Sequence, residues 1–185
     1  MSDTSIIPKD SWVPVTPGIT SDLTNRSPEL YIACCKQFDV ENNPRYAMGH
    51  QGHGETYCNI FQWDCSVAMR AVIPHWISPE PMGRPEPMGM GKETDANGAC
   101  EWIKNHGKDF GWYPVDADTA VANANAGKPT VMMWENPGGV GHVAVVLPTP
   151  AGSPPHIAQA GLNNYFDVDY HKGFGSYSVI YYAHE

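Results

Sequence analysis

The chain has 185 residues, with eleven Lys plus Arg against twenty Asp plus Glu and a formal net charge of -9 at pH 7. That length suits one domain over residues 1–185, the acidic balance without a Lys/Arg cluster excludes nucleic acid as a partner, and no run of eighteen apolar residues offers a membrane span. Its five cysteines are odd in number and lack metal-type spacing; with no basic-then-apolar opening to act as a signal peptide, the expectation is a chain made in the cytoplasm with reduced thiols.

Residues 1–26, rich in Pro, Ser and Thr, read as an extended arm anchored by Trp12. Ser27-Pro28-Glu29 starts a helix whose apolar face is Tyr31, Cys34, Cys35 and Phe38, which makes both cysteines core. Asp39, Glu41 and Asn43 alternate as in a calcium loop, but Pro44 stands where such a loop needs glycine and no glutamate closes it. In the loop from Arg45 to Tyr57, His50 and His53 lie beside Glu55 without a third and fourth ligand, so no metal is expected and the loop becomes a wall of a cleft. From Phe61 the apolar residues Cys65, Ala68, Met69 and Val72 follow at helical spacing, and Pro74 ends the pattern.

After Trp76, Pro-Glu-Pro-Met-Gly occurs at 79–83 and again at 85–89, a composition that refuses helix and strand; 78–93 is a flap or an insertion. Asn97 or Asp95 caps a helix through Ala99, Trp102, Ile103 and His106, with Cys100 off its stripe, and Asp116 begins another that Gly127 and Pro129 stop. Residues 129–148 form a hairpin of two apolar strands about Pro137-Gly138-Gly139, central to a sheet because both faces are apolar. Residues 156–161, HIAQAG, and 176–185, SYSVIYYAHE, are further strands.

Cys58 falls in the first turn of the helix after the glycine-rich loop, where unpaired N–H groups and the dipole favour a thiolate, the form that attacks carbonyl carbon. An inert core position is the alternative. His142 opens the second hairpin strand, where it can present one ring nitrogen to a thiol. Gln159 lies on the next strand in an apolar setting, with Asn163 or Asn164 as substitutes.

A helix-start cysteine in TYCNIF, a strand-start histidine in GHVAVV and a polar residue in IAQAG, in that order over Gly54 to Gly161, resemble the bacterial cell-wall cysteine peptidases and amidases of the NlpC and CHAP types. The resemblance implies an α+β, papain-like fold with N-terminal helices packed on a central antiparallel sheet, and a single catalytic domain without a cofactor. It implies Cys58 as nucleophile, His142 as acid and base, and Gln159 as its orienter. Peptidoglycan is the implied substrate, in an endolysin or a secreted antibacterial effector acting after lysis or delivery, with an immunity or inhibitor protein as a possible partner. Tyr57, Asn59, Trp63, Trp76, Trp134 and Asn163 are the substrate-binding candidates. A non-catalytic glycan- or protein-binding module, or a cysteine hydrolase or acyltransferase acting on another amide, are the alternatives.

Overall fold

A computed structural model of the chain describes residues 9–150 and 152–185, so the first eight residues of the arm and Ala151 lie outside the described residues. Short-range capping starts three of its helices. Ser27 Oγ accepts the Leu30 N–H at 3.1 Å to open α1 (Pro28–Lys36). Asp95 accepts the Gly98 N–H at 2.8 Å to open α3 (Ala96–Asn105), and Asp116 accepts the Thr119 N–H at 2.8 Å to open α4 (Ala117–Asn125). Each bond satisfies an N–H that the helix cannot pair by itself. By contrast α2 (Cys58–Ala68) follows Tyr57 and has no side-chain cap. Its first N–H groups, those of Cys58 and Asn59, point at the Cys58 sulfur instead. A final single turn, α5, spans His171–Phe174.

The main sheet contains β3 (Trp112–Val115), β4 (Thr130–Trp134), β5 (His142–Leu147), β6 (His156–Gln159), β7 (Tyr165–Asp169) and β8 (Ile180–His184). Its spatial order is β3-β8-β4-β5-β6-β7, antiparallel throughout. The architecture is therefore α+β, and the apolar hairpin β4–β5 is central, as its composition requires. A separate ribbon pairs β1 (Trp76–Ile77) with β2 (Lys92–Glu93).

Strand alternation assigns the two faces. Val131, Met133 and Val143 share one core cluster with Cys58 at the start of α2 and with Cys100, Trp102 and Ile103 of α3. His142, Ala144 and Val146 point the other way. There the C-terminal segment covers them: the Phe174 ring is 4.7 Å from that of His142, and Gly173 packs on Ile157 and Gln159.

Four features were not legible locally. Strands β1, β2, β3 and β7 carry little alternation, and β7 is broken by a register shift opposite Ile157 and Ala158, with Asp167 at φ 64°. Cys100, off the apolar stripe in sequence, is fully buried against α2. Residues 78–93 are tied to the body: Trp102 Nε1 donates to Gly83 O at 2.6 Å, Ser78 N to Arg84 O at 2.8 Å and Glu86 N to Trp76 O at 2.9 Å. Gly83, at φ 50°, lies where a Cβ would meet the His106 ring at 2.3 Å, so the chain can be drawn down only without a side chain there. The segment is a pinned strap.

Candidate active site

Cys58 occupies the first position of α2, with 3% of its surface exposed. Burial pushes its thiol up; the backbone N–H groups of Val143, Asn59 and Cys58 itself oppose this by pointing at Sγ, and the Asp95 carboxylate adds to the rise. Burial wins. The helix start predicts a resting thiolate, but the packing of α3 and β5 over Sγ removes the solvent that would stabilise one, so the resting form is the thiol.

The Val143 N–H at Sγ has a second meaning, because its peptide is the one that joins it to His142. His142 and Gln159 lie on the face away from the α3 cluster, and Gln159 Oε1 is 2.7 Å from His142 Nε2. That engages the far ring nitrogen. Among the described residues no hydrogen bond joins the ring to Cys58 Sγ: the strand turns Val143 to the Cys58 face and the His142 side chain to the face covered by Phe174, so the structure brings His142 and Gln159 together but not the imidazole and the thiol. Burial lowers the His142 pKa while the Gln159 contact opposes the shift, so the ring is neutral at pH 7 and able to accept a proton.

Of the three candidates for orienting the imidazole, Gln159 makes the contact. Its Nε2 donates to Asn163 O at 3.1 Å, which fixes the amide so that Oε1 faces the ring. The Asn163 side chain is exposed, and Asn164 is occupied elsewhere, accepting from Gly161 N and donating to Val40 O and Tyr46 O. A sequence reading could not have found Gly173. A Cβ there would lie 2.0 Å from Gln159 Oε1, so α5 closes over the pair only because the residue is glycine.

A cleft of about 670 Å³ opens beside the start of α2, lined by Tyr57 and Asn59 on either side of Cys58 in sequence and by Val140 just before His142. Trp12 lines it too: it lies edge-on to Tyr57 at 6.3 Å and its Nε1 donates to Glu93, so the arm forms one wall. The other aromatic candidates sit elsewhere. Trp63 is buried against the His75 ring at 5.2 Å, Trp76 packs edge-on to His75 at 5.3 Å, and Trp134 stacks on Tyr177 at 3.8 Å on the covered face of the sheet. Of these three, Trp63 is a buried core residue, while Trp76 and Trp134 are half-buried and pack against the core from its edge.

No family model and no curated protein matches the chain. Among the described residues no three His, Cys, Asp or Glu side chains are grouped to hold a metal ion. His50 is engaged instead: Nδ1 meets Ala47 O at 2.9 Å, Nε2 meets Ser11 Oγ at 3.2 Å, and its ring stacks on Tyr57 at 4.4 Å. Also among the described residues, no helix is long and apolar enough to cross a membrane. All five cysteines are free and buried. Burial pushes the Cys34 thiol up to about 11 and that of Cys100 up to about 12.

His75 had no signal in the sequence beyond its neighbour Trp76. It is buried, lines the cleft, and its Nδ1 lies 3.4 Å from Asn59 Nδ2, while Asn59 donates to Thr94 O at 2.8 Å. These contacts join the first turn of α2 to β2 and the cap of α3. The residue beside Cys58 therefore serves the cleft wall as well as the helix.

Proposed function

We propose that the chain is a cysteine hydrolase of papain-like plan that cleaves an amide bond of the peptide part of peptidoglycan. The observation that carries this reading is the meeting of an uncapped helix start with a strand start: Cys58 Sγ at the Val143 N–H, and the adjoining His142 held through Nε2 by Gln159. The choice of peptidoglycan rests on the likeness of TYCNIF, GHVAVV and IAQAG to cell-wall amidases and peptidases. Action on the wall after lysis or delivery, and restraint by an immunity or inhibitor protein, belong to the same reading.

The chemistry starts from a neutral pair. Once the His142 ring is brought round to the Cys58 side of the strand, Nδ1 takes the proton of Cys58 as Sγ bonds to the amide carbon, and the carbonyl π pair moves to an oxygen that the Cys58 N–H receives. The C–N bond then breaks and the proton passes from Nδ1 to the leaving amine, leaving a thioester. Water next attacks that carbon while His142 removes its proton. The S–C bond breaks, and the proton returns to Sγ.

A pH profile tests the base. Protonated His142 cannot accept the thiol proton, so kcat/KM is expected to fall as pH drops through an apparent pKa below 6.5, with a plateau above it. Gln159→Ala removes a contact that favours the protonated ring, so it should move that limb to still lower pH while reducing the plateau by roughly 10–100-fold through lost orientation. A limb that stays in place in Gln159→Ala would remove Gln159 from the role.

The substrate is tested by digesting purified peptidoglycans of differing peptide composition and weighing the released fragments, whose masses name the bond. No release from any wall would overturn the wall reading. One observation favours a second reading, a non-catalytic binding module of the same fold: a nucleophile only 3% exposed must be uncovered before substrate reaches it. Binding of wall fragments without turnover would establish that reading.

A further inference from the structure

One end of the main sheet carries a row of side chains from four strand ends: the start of β8, the end of β4, the start of β5 and the end of β6. Trp134 is the cross-strand partner of His142, so both project from the same face. Tyr177, just before β8, lays its ring on Trp134 with 3.8 Å between centroids and 9° between planes. On the other side of His142, Gly161 lies where a Cβ would be 3.5 Å from the imidazole Cε1, and Leu162 follows it. With neighbouring strands about 4.8 Å apart, the row runs roughly 14 Å across the sheet end.

Both ends of the row are open. Tyr177 is 55% exposed and Leu162 74%. One face of the tyrosine is spent on Trp134, so its exposed area belongs to the other face and to the hydroxyl edge. The stack holds that ring in place before a ligand arrives, so little side-chain freedom is lost on binding. The row is uncharged at pH 7, with His142 neutral, in a chain of net charge -9. Ser176 and Ser178 beside Tyr177 are exposed, as is Asn163 after Leu162, so hydroxyl and amide groups edge both ends. A fixed, flat, uncharged ring edged by hydrogen-bonding groups matches a pyranose, whose faces are C–H and whose edge is hydroxyl. A charged ligand finds no counter-charge among these side chains.

We infer that Tyr177, backed by Trp134, is a platform for a sugar ring of a glycan-linked peptide, two strands away from His142. The inference rests on the peptidoglycan reading for the identity of the polymer and deepens it: sugar lies on the β8 side of His142 and peptide on the Leu162 side. The platform is testable without turnover.

A disaccharide-tetrapeptide released from peptidoglycan and the same tetrapeptide without its sugars are titrated calorimetrically into Cys58→Ala. The sugar-bearing form is expected to bind about tenfold more tightly. Adding Tyr177→Phe should keep most of that preference, because the flat ring remains. Adding Tyr177→Leu should abolish it, although leucine still covers Trp134 and the melting temperature is held. Equal binding of the two ligands, no binding of either, or a preference that survives Tyr177→Leu would overturn the platform. A sugar preference lost in Tyr177→Leu supports it even if no wall is cleaved, whereas wall cleavage with equal binding strikes the platform alone and leaves the hydrolase reading standing.

Discussion

Replacing Cys58 by alanine is expected to reduce wall cleavage to background, a loss on the order of a millionfold if chemistry limits the rate. The fold should survive. Only sulfur is removed, from a cluster in which Val143, Cys100 and Ala99 remain packed, so the cost in stability is about 1 kcal/mol. The same variant separates the two readings of the site. Under the catalytic reading, Cys58→Ala binds wall fragments and does not cut them, while the wild type does both. Under the binding-module reading the two proteins behave alike.

Reactivity of the thiol supplies an independent check. Burial holds Cys58 as a thiol, so alkylation of the resting protein at pH 7 should be slower than that of a free cysteine, and should rise through pH 9 and above. Cys35 and Cys65, fully buried between α1 and α2, should remain unlabelled in the folded state. Fast labelling of Cys58 at pH 7 would show a resting thiolate and remove the need for His142 to deprotonate it.

The largest stability effect is expected at Asp64. Its carboxylate is fully buried and meets Arg45 Nε at 2.7 Å, Arg45 Nη2 at 3.0 Å and Tyr46 Oη at 2.6 Å. Burial pushes the Asp64 carboxyl up to about 6, against the pull of Arg45 and Tyr46, so it is still ionised at pH 7. Asp64→Ala removes a fully buried carboxylate from beside a buried guanidinium, at a cost of about 3–5 kcal/mol, which lowers Tm by about 10 °C or more in a chain of this length.

The damage should reach the cleft. Arg45 also donates to Asp10 O and, at 3.0 Å, to Val13 O, and its own carbonyl accepts from Ser11 Oγ at 2.6 Å. It therefore clamps the segment that carries Trp12 into the cleft wall. Asp64→Ala is expected to expose residues 9–13 to protease and to red-shift Trp12 emission. A buried ion pair can often be replaced by apolar residues without loss. Here Arg45→Met/Asp64→Leu should remain destabilised, because it abandons the carbonyls of the arm. Full recovery of Tm in that double variant would show that the clamp adds nothing.

Much of the frame could be read along the chain. Ser27, Asp95 and Asp116 announce three helix starts, because a cap bond spans only two or three residues. The apolar run on both sides of Pro137-Gly138-Gly139 marks a central hairpin for the same reason: turn chemistry and periodicity are local. The order Cys58, His142, Gln159 was visible too, and with it the expectation of a helix-start thiol near a strand-start imidazole.

Other properties depend on what packs against a residue from far away in sequence. The helix start argues for a thiolate at Cys58, and burial by α3 and β5, forty and eighty-five residues further on, reverses that. Nothing near Gly173 in sequence says that α5 closes on Gln159. Trp63, Trp76 and Trp134 resemble groove aromatics in sequence, but Trp63 is absorbed by the core and the other two pack at its edge, whereas Trp12, in an arm without periodicity, is held in the cleft wall by Arg45, Tyr57 and Glu93. Desolvation and charge act through space, so the chemical state of the site was set only when the chain folded these segments around it.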